Sequence, residues 1–223
     1  MAAENLVLTV GKTRSWKILR LIVDGGTLVL KYTFDKGTSH RKAFLTEEKP
    51  NLLGALSKNA LTKTQFILLY PPSGSSSSAD YDITLLVALH RTCLCSKKEN
   101  DPVWRFGNTP HQNDHSVEAD IVRLRDSRNE FLHQPIPELT EKEFDTKWQD
   151  VCQVLLRLGQ GMPDLKETLE RLRFECFDKE YEKQLLTKLV EWDKLDKSFG
   201  EEMMKKIEGN SQWAFAIVAQ MNR

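Results

Sequence analysis

The chain contains no C-x-x-C pair and no Cys/His ladder. Its four cysteines are Cys93, Cys95, Cys152 and Cys176, and only the first two are close, as C-x-C. That spacing excludes a zinc finger or RING. There is no Gly-rich phosphate cradle of the P-loop kind, so nucleotide chemistry of that class is not indicated. No internal repeat occurs, and the apolar runs fall far short of a membrane span. The start, MAAENLVLTV, lacks the charged opening and long apolar run of a signal peptide. Charge of one sign is also missing: 32 basic residues balance 32 acidic ones. Bulk electrostatics therefore gives no case for avid nucleic-acid binding, although a local basic site stays open. These absences lead to an expectation of an intracellular, reduced, soluble protein located in the cytoplasm.

What is present is helical periodicity. The 223 residues are 40% hydrophobic, enough for one sizeable core, or for one domain with a helical annex. Residues 1–14 read as a loose leader. A helix is expected after Ser15, carrying Trp16, Leu19, Ile22 and Val23 and ending at Asp24-Gly25-Gly26. TLVLKYTF (27–34) alternates and is rich in β-branched residues, which locally suits a strand. Residues 37–50 are polar and Pro50 closes them, before a short turn with Leu52, Leu53 and Leu56. Thr62 or Thr64 can cap the helix QFILLY, which Pro71-Pro72 ends. SGSSSS (73–78) is the one low-complexity segment and reads as a flexible loop. Asp80 is expected to cap a helix through Leu85, Leu86 and Leu89 to about Cys93, and 96–113 reads as a long loop.

Ser116 then caps a helix with Val117, Ile121, Leu124, Phe131 and Leu132 on one face. Thr140 and Glu143 form a capping-box signature before the stripe Phe144, Trp148, Val151, Cys152 and Leu155, which Gly159 and Gly161 end. Asp164 with Glu167 repeats the capping signature. Another start lies near Asp178, followed by Tyr181, Leu185, Leu189, Trp192 and Leu195. WAFAIVA (213–219) is apolar but short. Cys152 and Cys176 sit in helical patterns and are expected to be small buried hydrophobes. The class read from the residues is all-α, with 27–34 dissenting.

Within the helix after Ser116, "RDSRNEFLHQP" (125–135) places an arginine on the apolar face. Arg128 falls at the centre of the stripe 117, 121, 124, 131. A guanidinium there needs partners, since an unpaired buried charge costs roughly 3–5 kcal/mol. Asn129 and His133 are four apart and share a face. Arg128 and His133 are five apart, about 140° around an ideal helix. Pro135 pushes Gln134 out of helical geometry, which would loosen this end. Two readings stand. In one, a histidine able to act as acid or base, an arginine that clamps phosphate and an orienting asparagine serve metal-independent RNA cleavage, with a dimer supplying the second histidine. In the other, Arg128 is salt-bridged to a carboxylate and His133 is a polar helix cap.

The runs "LTKTQFILLYPPSGSSSSADYDITLLVALHRTCLC", "SVEADIVRLRDSRNEFLH" and "FDTKWQDVCQVLLRLG", in that order, resemble a HEPN domain. The subtype is that of the DAZ-interacting zinc-finger ubiquitin ligase and its animal relatives. "LRLIVDGGTLVLKYTFD" is similar to the N-terminal helices of that family, and "LKETLERLRFECFDKEYEKQLLTKLVEW" resembles its tail. The resemblance implies an all-α HEPN-type bundle with added N- and C-terminal helices, and so a helical 27–34. It divides the chain into a leader (1–14), a HEPN-like core (15–160) and a helical extension (161–223). It also implies that Arg128, Asn129 and His133 match the family's R-x(4–6)-H motif, through which many HEPN proteins cleave RNA as dimers. Others serve only as dimerisation or nucleotide-sensing parts. Ubiquitin transfer is not implied, because the RING is missing.

The expectation is thus a dimerisation and interaction module, associating through the 116–133 helix in innate-immune or signalling scaffolds. The alternative is a metal-independent endoribonuclease with a composite dimeric site at Arg128, Asn129 and His133. Arg123, Arg125 and Arg128 are the candidate contacts to single-stranded RNA. No cofactor and no metal is expected. His111-x-x-x-His115 has a metal-like spacing but no further ligands, and reads as a solvated loop. Lys97-Lys98 and Lys205-Lys206 read as solvated faces. Trp104, Trp148 and Trp192 could stack on bases, but the last two lie on helical stripes and are expected in the core.

Overall fold

Thr9 opens the first helix: its side chain accepts the backbone N–H of Lys12 at 3.2 Å. In the computed structural model, which describes residues 9–38, 41–72, 76–94, 109–132, 136–176 and 180–198, helix α1 spans Val10–Arg20. It begins ahead of the expected start after Ser15, and residues 10–14 are helical rather than loose, because Thr9 supplies the cap. It does not stop at Gly25-Gly26. A widened π turn, Leu21–Gly25, passes directly into α2, Gly26–Gly37. Both glycines keep right-handed helical angles. Their role is close approach: a Cβ on Gly25 would lie 2.8 Å from Leu155 Cδ1, and one on Gly26 2.7 Å from Ile83 Cδ1. The glycine pair that reads as a helix stop is a crossing point.

The strand-like run 27–34 is helical, as the family resemblance implies. Val29, Leu30 and Phe34 are buried, and the polar β-branched residues adapt to the helix. Thr27 donates to the carbonyl of Val23 at 2.6 Å, and Thr33 donates to that of Val29 at 2.9 Å. Their hydroxyls therefore meet acceptors one turn back.

Helix α3, Arg41–Ser57, contains Pro50 rather than ending there. Proline cannot donate to the Thr46 carbonyl, but Thr46 and Pro50 are both exposed, so water can take that place. Thr62 caps α4, Lys63–Leu69. Asp82, not Asp80, caps α5, Ile83–Leu89, and a second π turn, His90–Leu94, follows. The second half of the serine run is built into the fold: Ser78 is buried and donates to Asp35 at 2.9 Å. Helix α6 spans Val117–Leu132, α7 Glu141–Leu158 and α8 Leu165–Phe174. Helix α9 covers residues 180–198. Asp164 does not form the expected capping box. It adopts a left-handed conformation, φ 53°, and its side chain makes no cap hydrogen bond.

All the described residues with regular structure are helical, so the fold is all-α. Helix α7 packs on α1, α2 and α6, while α5 packs on α2. Leu165 and Leu169 of α8, with Leu185, Leu189 and Trp192 of α9, join the same apolar cluster. Trp148 and Trp192 are both core residues. Cys93 is buried, Cys152 half-buried, and Cys176 is exposed, contrary to the expectation from its helical pattern. Burial pushes the Cys152 thiol up to about 12, so it is not poised to react. Among the described residues no helix is long and apolar enough to cross a membrane. The readings of 1–8, 73–75, Cys95, 96–108 with Lys97, Lys98 and Trp104, His133, Asp178, Lys205-Lys206 and 213–219 lie outside the described residues.

Candidate functional site

Helix α6 begins where the sequence places it. Ser116 accepts the N–H of Ala119 at 3.2 Å. In the first turn, Asp120 is almost wholly buried and receives two arginines. Arg123 Nη1 donates at 2.7 Å, and Arg157 of α7 donates through Nε at 2.8 Å and Nη2 at 2.6 Å. This two-pronged grip fixes α7 against α6.

Further along, Ile121, Leu124 and Phe131 are buried as the stripe predicts, and so is Arg128, at 1% exposure. Its partners come from α9. Nη2 lies 2.9 Å from Asp196 Oδ2 and 3.9 Å from Asp193 Oδ1. The guanidinium carbon stands 4.4 Å from the centre of the Trp192 ring, a cation–π distance. Asn129 accepts from Arg128 Nε at 3.1 Å and Nη2 at 2.7 Å, so it orients the guanidinium. On the other side of the same carboxylate, buried Arg91 donates through Nη1 to Asp196 Oδ1 at 2.8 Å. Asp196 is thus held between two guanidiniums from two different helical segments. Burial pulls both arginines below their usual range, and the carboxylate of Asp196 pulls them back up. Arg125 adds to the depression in each case. Both stay charged, as arginines do.

The predicted residues are therefore only partly brought together. Arg128 and Asn129 touch, and His133 lies outside the described residues. Arg123 is held by Asp120 and by the carbonyl of His111 at 2.7 Å. Arg125 donates to Asp126 through Nε at 3.0 Å and Nη2 at 2.9 Å. All three candidate RNA contacts have acceptors within the chain. His111 and His115 are exposed, and His111 Nδ1 accepts the N–H of Asn113 at 3.2 Å.

Sequence reasoning missed Arg91, Asp193 and Asp196. A signal for Asp196 was present. Val117, Ile121, Leu124 and Arg128 share their spacing with Leu185, Leu189, Trp192 and Asp196. Each apolar stripe carries a charge at the same step, and the charges are opposite. Two such stripes are complementary only if they face one another.

Comparison with known proteins agrees with the helical architecture. The family described as DZIP3/hRUL138-like HEPN matches residues 38–185. The E3 ubiquitin-protein ligase DZIP3 of Homo sapiens is 29% identical over 166 residues, which cover 70% of this chain and 13% of that protein. Its Mus musculus counterpart is 30% identical over the same extent. This chain thus spans about an eighth of the length of the curated relatives it matches. No solved structure matches. Arg91 and Arg128 fall inside the matched residues, and Trp192, Asp193 and Asp196 come after them.

Proposed function

The chain belongs to the DZIP3/hRUL138-like HEPN family, and from that membership we propose that it works as a helical interaction module that self-associates. A candidate single-stranded RNA site at α6 goes with this role. The observation that carries the interaction reading is the burial of Arg128. A clamp for a phosphodiester must meet its ligand, and here the guanidinium lies under α9 on Asp196 and Trp192. In this arrangement Arg128 holds helices together.

Homodimerisation through the 116–133 helix has a narrow surface to use. From Val117 to Phe131, Glu130 alone is open to solvent. Arg123, Asp126 and Ser127 are half-buried on the same side, three to four residues apart. A two-fold contact along this polar stripe would be self-complementary, because it carries both signs of charge. Sedimentation velocity over a concentration series tests it. The mass should rise toward a dimer through the micromolar range, and Ser127→Arg should stay monomeric with an unchanged circular dichroism spectrum. A wild type that remains monomeric throughout removes the self-association reading.

The Arg128–Asn129 contact favours a second reading, a metal-independent endoribonuclease using Arg128, Asn129 and His133. It requires α9 to move off Arg128. The same samples, given single-stranded RNA and EDTA, should then yield a 2′,3′-cyclic phosphate, the mark of 2′-hydroxyl attack. His133→Ala should lower the rate on the order of 10²–10⁴-fold. Equal background in both proteins removes the enzyme.

A further inference from the structure

Asp196 is a single carboxylate with two buried guanidiniums on it. Arg91 Nη1 meets Oδ1 at 2.8 Å, and Arg128 Nη2 lies 2.9 Å from Oδ2. Both groups on Asp196 are cations. Arg125 is close enough to disfavour the charge on both arginines, and Asp193 stands 3.9 Å from Arg128 while also pairing with Lys197 at 2.7 Å. Unmet donors outnumber unmet acceptors. Arg128 Nη1 and Trp192 Nε1 are buried without an acceptor among the described residues, against Asp196 Oδ2, which meets Arg128 as an ion pair but without a directed hydrogen bond. A carboxylate offers two oxygens to this cluster. A phosphate group offers more oxygens and, as a monoester or free ion, more charge.

We propose that Arg91 and Arg128 form a phosphate-binding site, and that α9 fills it in cis with the carboxylate of Asp196. Arg91 is the second arm of the clamp, supplied by the π turn after α5. Helix α9 is then a plug: its inner face seals the site with Trp192 and Asp196, while Leu186 and Val190 remain open on its outer face. The two halves of the device also separate along the sequence, since both arginines lie within the family-matched residues 38–185 and the plug residues follow them. Only the choice of RNA as a source of the phosphate rests on the functional reading of α6. The two-arginine geometry stands apart from self-association.

The test uses the full chain and two probes, inorganic phosphate and a single-stranded oligoribonucleotide with a 5′-hydroxyl, against chloride at matched ionic strength. Asp196→Asn keeps the shape of the plug and removes its charge. This variant should bind one of the probes at least about tenfold tighter than wild type, a ratio of the size expected for loss of a competing charged partner. Adding Arg91→Gln should abolish the gain. A response to the oligoribonucleotide alone assigns the site to an RNA backbone, and a response to phosphate alone assigns it to a free phosphate. A folded Asp196→Asn that binds neither probe more tightly overturns the proposal. If that variant does not fold, hydrogen exchange of the wild type decides. Amides of 180–198 should exchange faster with the effective probe present, and unchanged exchange with both probes overturns the plug. None of these readouts depends on dimer formation, so failure here and failure of the interaction module are distinguishable.

Discussion

Two regions of this bundle are equally shielded from water and held by opposite means. Where the long helix 10–37 crosses α5 and α7, the contact is apolar. Gly25 lies under Leu155, Gly26 under Ile83, and Phe34 packs edge-on to Phe44 and Tyr81 at 5.9 and 5.8 Å. Where α9 crosses α6, the contact centres on Arg91, Arg128, Asp196 and Trp192. Cohesion in the first region is non-directional and scales with area. In the second, each charge is tolerable only while its partner is in place, and the net stability of the group is small because desolvation offsets the attraction. The apolar crossing holds the bundle together, whereas the charged joint selects which surface of α9 faces α6.

The largest expected effect comes from leaving the joint half made. Asp196→Ala takes the shared carboxylate from two buried guanidiniums and should cost about 3–5 kcal/mol in urea unfolding. Replacing the whole joint is the sharper measurement. Arg91→Met/Arg128→Met/Asp196→Leu removes all three charges together, and exchanges of this kind are often neutral or stabilising. The triple variant should therefore recover most of the loss. A single Asp196→Ala that costs less than about 1 kcal/mol would erase the contrast between the regions.

The next effect belongs to the apolar region and its one buried imidazole. His90 Nε2 is 3.1 Å from the carbonyl of Leu30, which requires that nitrogen to carry the proton and donate. Burial lowers this histidine to about 4 from 6.5, against a smaller upward pull from the hydrogen bond. The unfolded chain thus binds the proton first. Stability is complete above 6.5 and is lost as pH falls through the interval down to about 4. Each pH unit of that interval is worth about 1.4 kcal/mol, so the whole is about 3 kcal/mol. Comparing wild type with His90→Gln across the same pH range isolates it from the carboxylates. Parallel curves would mean that His90 takes up its proton over the same pH range in the folded and the unfolded chain.

Much of this was legible in the sequence, for a physical reason. Burial of one helix face repeats every 3.6 residues, so the stripes of α6, α7 and α9 could be read directly, including the inward position of Arg128. What could not be read is what lies opposite. Gly25-Gly26 carries the same local signal whether it ends a helix or lets another side chain approach, and only Leu155 and Ile83, far along the chain, decide. Pro50 stands in a helix because its face is wet. The run 27–34 was resolved by family resemblance against its local preference, since the threonine hydroxyls find acceptors one turn back only once the helix exists. At the site, Arg128 announced its need of a carboxylate, but Asp196 is 68 residues away in sequence (196 less 128). Pairings of that range have no local period.

The smallest effect tests whether polar groups behave differently when their needs are met locally. At α4, Thr62 accepts the N–H of Gln65 at 3.1 Å, and Gln65 accepts the N–H of Thr62 at 2.9 Å. The amide of Gln65 then donates to Thr84 at 2.6 Å inside the protein. Thr62→Ala removes one acceptor from the cap and leaves no stranded charge, so it should cost about 1 kcal/mol. Asp164 has the same sequence signature before α8 but sits at φ 53° with no cap hydrogen bond. Asp164→Gly relieves the left-handed backbone and gives the unfolded chain more freedom, and these contributions oppose each other at about the same size. Its unfolding midpoint should match wild type to within about 0.5 kcal/mol. The pair separates a cap that is made from one that is only spelled. An Asp164→Gly loss equal to that of Thr62→Ala would show that the Asp164 carboxylate caps α8 in solution.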